Sequence, residues 1–281
     1  MKPTWRLIVD GALPGAVNMA RDAFLLERAG EPGEPFTVLR LYRWAVPTLS
    51  LGNKQVAERT ADIAFCRERG IDVCRRPTGG GAVLHHLELT YAVVSSYREC
   101  FQPGILGTYL SLSRALQRGL ALLGVPAEVE EKDPRAALRP DNFVKSPVPC
   151  FTSTSHYEIT VAGKKILGSA QKRTKTAFLQ HGSIPYAYDW ALQAGAMRAD
   201  AGVMQGVMAC IGDWAPEFRA LSPCVASPEI GRLETAFRQA FAEVFAVDLV
   251  PEPLNRDELA RAATLETHYR VELPSAGQNH G

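Results

Sequence analysis

The sequence lacks any apolar run of the roughly 20 residues that a membrane-spanning helix needs. Its first residues, MKPTWRLIVDG, lack the apolar segment and the small-residue cleavage site of a signal peptide. No two of the six cysteines form a CxxC pair, and in a chain of 281 residues such cysteines are typical of free thiols in a reducing compartment. These absences predict a cytoplasmic protein with no membrane partner.

The sequence also lacks a strong charge of either sign. The formal net charge is +1, which gives no bulk electrostatic argument for a nucleic-acid partner. A zinc site built from Cys66, Cys74, His85 and His86 is a minor alternative, because the spacing of these residues fits no common zinc pattern. We therefore predict neither nucleic acid nor a bound metal.

What is present is an ordinary globular composition, 46% hydrophobic and 22% charged, in which hairpins alternate with helices. This mixture favours an α+β fold over a doubly wound parallel sheet. Apolar spacing predicts helices at 15–29, 61–69, 109–123, 229–245 and 255–268, with helix and loop over 185–210. Alternation predicts strands at 36–43, 48–52, 71–74, 89–95, 126–131, 157–161, 164–170 and 178–184. The four prolines of 132–149 predict a long surface loop, and such loops are often functional.

One glycine-rich loop, RRPTGGGAV at 75–83, lies between two predicted strands. Three consecutive glycines let the backbone approach a ligand closely, and exposed N–H groups in such a turn form a concavity that binds anions. Arg75 and Arg76 can bind a carboxylate or phosphate in a forked geometry. The segment is not a P-loop, since it lacks Gly-Lys-Ser/Thr and a strand follows it. The alternative is a tight structural turn with solvated arginines.

A second stretch, from Cys150 to Ser183, places a cysteine, two lysines, a Gly-Ser-Ala step and a His-Gly step in one predicted β-meander. In a hairpin that turns at Ala162-Gly163, Lys164 and Lys165 face opposite sides, and the pattern alone does not choose between them. Cys150 by itself is more often a buried core residue. Its setting, after a proline-rich loop and before polar FTSTS, is unusual for a core.

Together the motifs RRPTGGGAVLHHLELTY, GKKILGSAQKR and QHGSI resemble those of the lipoate–protein ligase, octanoyltransferase and biotin ligase superfamily. NMARD, WAVPTLSLG and the last two helices extend the resemblance over residues 1 to about 270. It implies a class II aminoacyl-tRNA synthetase/biotin ligase-like catalytic domain with a mixed, largely antiparallel β-sheet flanked by helices. We expect residues 1–250 to form this single catalytic domain and 251–281 to add a C-terminal helix and a disordered tail.

A cysteine before a YEI-type strand that leads into GKKILGSAQ is similar to the LipM type of octanoyltransferase. The resemblance implies an acyltransferase without a cofactor, which moves octanoyl from an acyl carrier protein to a lipoyl domain. The acceptor would be the glycine cleavage H protein or a 2-oxoacid dehydrogenase E2. The alternatives are an amidotransferase that takes octanoyl from the H protein, an ATP-dependent lipoate–protein ligase in which Cys150 is incidental, and a non-catalytic acyl sensor.

The resemblance also implies roles for individual residues. Cys150 would carry the acyl group as a thioester, and the ammonium of Lys165 would favour the thiolate and polarise the carbonyl. A Cys–His pair with His156 or His181 is a rival way to activate the thiol. The residues expected to bind substrate are Arg75, Arg76, Gly79, Gly80, Gly81, Ala82, His85, Gly168, Ser169, Ala170, His181 and Gly182. Lys172, Arg173 and Lys175 are either solvated charges or a surface that steers an acidic carrier.

Overall fold

The computed structural model describes residues 2–34, 36–96, 101, 104–131 and 157–272. Its centre is a six-stranded sheet in the order β10-β11-β6-β2-β1-β12. The three pairs from β10 to β2 are antiparallel, and β1 pairs in parallel with both β2 and β12. The predicted mixed, largely antiparallel sheet is thus confirmed. The strands are β1 (Thr4–Leu13), β2 (Thr37–Trp44), β6 (Glu88–Ser95), β10 (Gly168–Arg173), β11 (Phe178–Pro185) and β12 (Asp248–Pro251).

Two three-stranded sheets lie beside the large one. In the first, β3 (Thr48–Leu51) pairs in parallel with β4 (Asp72–Arg75) and antiparallel with β5 (Val83–His85). In the second, β8 (Tyr157–Val161) lies between β7 (Glu128–Glu131) and β9 (Lys164–Lys165), antiparallel to both. The strand after the glycine loop is therefore present, as predicted.

The predicted single strand 164–170 is wrong. Lys164 and Lys165 belong to the small sheet, and the chain enters the large sheet only at Gly168. Ile166 and Leu167, which lie between the two strands, are both buried, at 0% and 3% exposure. The expected meander is therefore shared between two sheets.

Helices cover both faces of the large sheet. In β2, Leu39 and Leu41 point into the core formed with α4 and α7, whereas Val38 and Tyr42 point into the core beneath α1. Because both faces are covered, every residue of β2 and β6 is buried. The helices are α1 (Gly15–Gly30), α2 (Ala57–Thr60), α3 (Ile63–Glu68), α4 (Gly104–Leu122), α5 (Trp190–Met197), α6 (Ala201–Val207), α7 (Pro228–Phe245), α8 (Arg256–Ala263) and α9 (Glu266–Tyr269).

The C-terminal helices pack on the outside of α1. Asn255 caps α8, as predicted, by accepting from the N–H groups of Asp257 and Glu258. The predicted helix 255–268 is divided, since α8 ends at Ala263 and α9 begins at Glu266. The loop predicted at 132–149 and the tail from 273 lie outside the described residues. In the ranges that are described, no helix has the length and apolar composition to cross a membrane.

Candidate active site

A cavity is lined by residues of the large sheet, of both small sheets and of α1. The cavity has a volume of about 600 Å³, and this volume includes its mouth, which is open to solvent. Eight residues predicted for the site line it, namely Arg76, His85, Lys165, Gly168, Ser169, Ala170, His181 and Gly182. Six lining residues were not predicted, namely Met19, Tyr42, Trp44, Val83, Thr90 and Ser183. Arg75, Gly79, Gly80, Gly81 and Ala82 are not among the lining residues, and Cys150 lies outside the described residues.

The hairpin of β8 and β9 carries Lys165 to this cavity. Its turn has φ of 50° at Ala162 and 73° at Gly163, the positive pair that a tight two-residue hairpin requires. Lys165 pairs across the hairpin with Thr160 and is 8% exposed, and its Nζ lies 3.3 Å from Oε1 of Glu158. The neighbouring Lys164 points elsewhere and donates to the carbonyl of Gln205. The structure thus places Lys165, and not Lys164, at the cavity wall.

The glycine loop is held by its own two arginines. Arg76 donates through Nη2 to the carbonyls of Gly79 and Gly81, and through Nη1 to Ser50. Arg75 donates instead to carbonyls of residues 52–55, on the segment that packs against the loop. Both guanidinium groups therefore shape the loop, and Arg76 also lines the cavity.

The close packing of that neighbouring segment depends on Gly52. A Cβ at this position would lie 2.1 Å from the carbonyl oxygen of Gly80, which has φ of 95°. In the structure, the backbone that approaches the glycine loop closely belongs to another segment of the chain. A ligand on the N–H groups of the loop stays a prediction.

A first buried hydrogen-bond chain joins α1 to the glycine loop through His181. Nδ1 of His181 lies 2.8 Å from Oδ2 of Asp22, and Nε2 lies 2.7 Å from the hydroxyl of Thr78. Asp22 also accepts from Arg40 and Tyr42. Burial lowers the pKa of His181 against the opposing effect of Asp22, which favours the neutral ring near pH 7. The tautomer of the ring decides which nitrogen donates and which accepts in these two contacts.

The Asp22 carboxylate in this hydrogen-bond chain is charged. Burial works to raise the pKa of Asp22, but the positive charge of Arg40 and the hydrogen bond with His181 bring it below the ordinary value.

Both ring nitrogens of His181 already have hydrogen-bond partners, namely Asp22 and Thr78. This occupancy counts against His181 as the partner that activates a cysteine. The rival partner, His156, lies outside the described residues.

A second buried chain approaches the loop through His85. Nδ1 of His85 lies 2.7 Å from Oε1 of Glu88, and Nε2 lies 2.6 Å from the hydroxyl of Ser50, which accepts from Arg76. The ring stacks on Trp44 with centroids 4.1 Å apart. Burial works to raise the pKa of Glu88, but His85 and hydrogen bonds from Ser183 and Thr90 lower it.

The Gly-Ser-Ala step of β10 is fixed from two sides. The hydroxyl of Ser169 lies 2.8 Å from that of Tyr91, and its carbonyl accepts from the hydroxyl of Tyr109 on α4. Across the strand pair, Gly182 leaves no room for a side chain, since a Cβ there would lie 2.5 Å from the carbonyl oxygen of Gly168. β10 is the outer strand of its sheet, and this packing holds its backbone at the cavity wall.

The cysteines of the described residues are poor nucleophiles or lie elsewhere. Burial raises the pKa of Cys66 to about 11 and that of Cys210 to about 12, and it also raises the pKa of Cys74. Cys224 is exposed and donates to the carbonyl of Ala45. Within the described part of the chain no group of three or more His, Cys, Asp or Glu side chains is placed to hold a metal ion.

The chain is similar to a known protein family and to several known proteins over most of its length. The family model described as the lipoyl protein ligase A/B catalytic domain matches residues 14–210. An octanoyltransferase LipM from Symbiobacterium thermophilum is 38% identical over 274 residues, which cover 94% of this chain and 95% of that protein. An octanoyltransferase LipM from Kyrpidia tusciae is 37% identical over 268 residues, covering 95% of this chain and 96% of that one.

A solved structure has the same fold. It comes from work on a bi-partite lipoate protein ligase and its E2 lipoyl domain from Thermoplasma acidophilum. The TM-score is 0.73 at 22% identity, over 95% of this chain and 93% of that one. The likeness confirms the predicted class II aminoacyl-tRNA synthetase/biotin ligase-like fold.

Proposed function

Because the chain belongs to the LipM octanoyltransferase family of acyltransferases, we propose that it moves an octanoyl group from an acyl carrier protein to the lysine of a lipoyl domain. Cys150 carries the group between the two as a thioester. The relatives named LipM match nearly the whole chain, which supports octanoyl transfer in lipoate biosynthesis. The donor, the intermediate and the acceptor are our proposal. We assign catalysis to residues 1–250, since the described residues that line the cavity all lie within this range.

The single observation that carries the proposal is the buried ammonium of Lys165 at the cavity wall. It stands in the second strand of the β8–β9 hairpin, and it lines the same cavity as Gly168, Ser169 and Ala170. Cys150 precedes the first strand of this hairpin by the six residues 151–156. A cation in this position can stabilise a thiolate and the oxyanion that forms on the acyl carbonyl.

The reaction has two balanced steps. In the first, the Cys150 thiolate attacks the carbonyl carbon of the donor thioester, and the carrier sulfur leaves as a thiolate. In the second, the neutral amine of the acceptor lysine attacks the new thioester, the bond to the Cys150 sulfur breaks, and the amide forms. The proton lost from the amine is taken up by the released thiolate or by solvent. Lys165 and backbone N–H groups near Ser169 stabilise both tetrahedral intermediates.

The octanoyl tail fits the apolar part of the cavity. Met19, Tyr42, Trp44 and Val83 supply this part of the lining. Burying a methylene there contributes up to about 0.8 kcal/mol, so a chain of seven or eight carbons gains several kcal/mol of binding free energy. The polar groups Arg76 and Lys165 remain for the thioester end.

We infer the protein partners from the proposed reaction and from one structurally similar ligase. The acceptors we propose are the glycine cleavage H protein or a 2-oxoacid dehydrogenase E2, and the ligase structure reported with its E2 lipoyl domain supports the second. No cofactor takes part. We place the protein in the cytoplasm, because the four cysteines of the described residues are free thiols.

A transfer assay with matched lysine variants tests this function. With octanoyl-acyl carrier protein, apo lipoyl domain and no ATP, we expect the wild-type chain to form the octanoylated domain. Lys165→Met should lower the rate by a factor of about 100 or more, the usual cost of removing an oxyanion donor. Lys164→Met, whose side chain reaches Gln205 instead, should stay within a factor of about 3 of the wild type.

The same assay separates the alternatives. A strict requirement for ATP would identify a lipoate–protein ligase. Transfer from octanoylated H protein, with none from the acyl carrier protein, would identify the amidotransferase. Binding of the octanoylated carrier without any transfer would identify an acyl sensor.

A further inference from the structure

The glycine loop carries few side chains that could order it. Glycine loses more conformational freedom on folding than any other residue, so three glycines in a row are costly to fix in one conformation. The contacts that fix this loop come from Thr78, directly before the glycines, and from Arg76. Thr78 is the first member of one hydroxyl–histidine–carboxylate chain, and Arg76 donates to the hydroxyl of a second such chain.

The two chains have the same order of groups. On one side the order is Thr78, His181 and Asp22, with contacts of 2.7 and 2.8 Å. On the other side it is Ser50, His85 and Glu88, with contacts of 2.6 and 2.7 Å, and Ser50 accepts from Arg76. Asp22 and Glu88 are at most 3% exposed, so each chain ends on a buried carboxylate.

We propose that His181 and His85 are positioning residues that hold the glycine loop from two sides, and that each does so with its proton on Nδ1. An imidazole with that proton donates to the carboxylate from one edge and accepts from the hydroxyl at the other. The carboxylate fixes the tautomer, as an orienting acid does for a catalytic histidine. The effect on catalysis rests on the proposed function, whereas the effect on the loop does not.

The hydroxyls are not nucleophiles, although an acid–histidine–hydroxyl order is also that of hydrolase triads. Thr78 is 1% exposed and Ser50 is 0% exposed, and neither lines the cavity. The two histidines do line it. Each ring therefore joins the cavity wall to the buried chain behind it, which suits a positioning role.

The tautomers can be read directly by nitrogen NMR on the full chain with ¹⁵N-labelled histidine. Signals are assigned by loss of one resonance in His181→Asn and in His85→Asn. We expect both rings to carry the proton on Nδ1 and to show an unprotonated Nε2. A proton on Nε2 of either ring would overturn the proposal for that chain.

The loop is tested by removing the Thr78 hydroxyl with a matched control. In Thr78→Val we expect amide hydrogen exchange of residues 79–81 to rise about tenfold, from the loss of one hydrogen bond. Thr37→Val removes another buried threonine hydroxyl, bonded to Ser95 at the other end of β2, and should leave loop exchange unchanged. Thr78→Ser keeps the hydroxyl and should restore slow exchange, which separates lost bonding from faulty folding.

Kinetics then distinguish positioning from simple stability. Octanoyl transfer by Thr78→Val should show kcat/KM about tenfold below wild type, with Thr37→Val and Thr78→Ser close to wild type. Equal kinetics in Thr78→Val and Thr37→Val would overturn the catalytic role, even if exchange differs. If the wild-type chain transfers no octanoyl at all, the proposed function fails, and exchange and tautomers alone decide whether the histidines hold the loop.

Discussion

The carboxylate of Glu158 lies 3.3 Å from the ammonium of Lys165, and both side chains are buried. Glu158 is on β8 and Lys165 on β9, so the pair spans the hairpin that follows the Cys150 segment. A charge held this way has a fixed place at the cavity wall. A charge on an exposed, mobile lysine would contribute far less to a reacting group.

Breaking this pair from one side should destabilise the fold. We expect Glu158→Gln to lower the free energy of unfolding by about 3 kcal/mol, because it removes a buried counter-charge from Lys165. Replacing both residues, as Glu158→Leu with Lys165→Met, should recover much of the loss, since an apolar pair carries no desolvation cost. Urea unfolding measures both values. A double variant less stable than Glu158→Gln would show that the pair does not act this way.

Stability should fall when the pH is lowered from 7 to 5. The folded chain keeps His181 neutral through a lowered pKa, whereas an unfolded histidine takes up a proton below about pH 6.5. The unfolded state then binds more protons, and the free energy of unfolding drops by up to about 1.4 kcal/mol per pH unit. Asp22 and Glu88 also have lowered pKa values in the folded chain, so they too reduce the free energy of unfolding as the pH falls further.

A single variant isolates the histidine. His181→Asn should reduce the slope of unfolding free energy against pH between 5 and 7, with part of the slope left by His86, whose pKa burial also lowers. Urea unfolding at several pH values gives the slopes. Parallel curves for wild type and variant would contradict the assignment.

A methyl group at Gly182 should disturb β10. Its Cβ would meet the carbonyl oxygen of Gly168 at 2.5 Å and the hydroxyl of Ser169 at 2.7 Å. We expect Gly182→Ala to cost about 1–3 kcal/mol and to slow octanoyl transfer. Gly231→Ala is the control, because its Cβ in α7 meets nothing within 4 Å and should stabilise the helix by about 0.5–1 kcal/mol. Thermal unfolding that moves in the same direction for both would refute the packing argument.

The basic cluster near the β10–β11 turn should speed association with an acidic carrier. Arg173 is tied to Gly104 and Thr108, so Lys172 and Lys175 are the exposed positions to reverse. Changing both lysines to Glu should slow association and flatten its dependence on salt. Lys2→Glu with Arg67→Glu makes the same change of net charge at other exposed positions. An equal effect from this second pair would mean that only total charge matters.

The elements with strong local patterns were predictable from the sequence. The alternation of 36–43 and the helical spacing of 229–245 correspond to β2 and α7. The strands β1 and β12 were not predicted. β12 has four residues that are mostly exposed, and its only described strand partner is β1, more than 230 residues away. Such pairing leaves no local pattern.

Site residues that belong to one sequence motif were predictable. Contacts between residues that are far apart in the sequence were not. Lys165 and the Gly-Ser-Ala step come from one motif, and both line the cavity. Asp22 and His181 are 159 residues apart, and only the fold brings their side chains together. Asp22 lies in NMARD and Glu88 in HHLELTY, so the motifs contained both carboxylates without revealing what they bind.

The most direct test of the central claim is the intact mass of the protein after mixing with octanoyl-acyl carrier protein in the absence of ATP. We predict a mass increase of one octanoyl group, located on Cys150 by peptide mapping, reversed by hydroxylamine and absent in Cys150→Ala but present in Cys224→Ala. An unmodified wild-type chain that nevertheless octanoylates the lipoyl domain, or an adduct that persists in Cys150→Ala, would contradict the account.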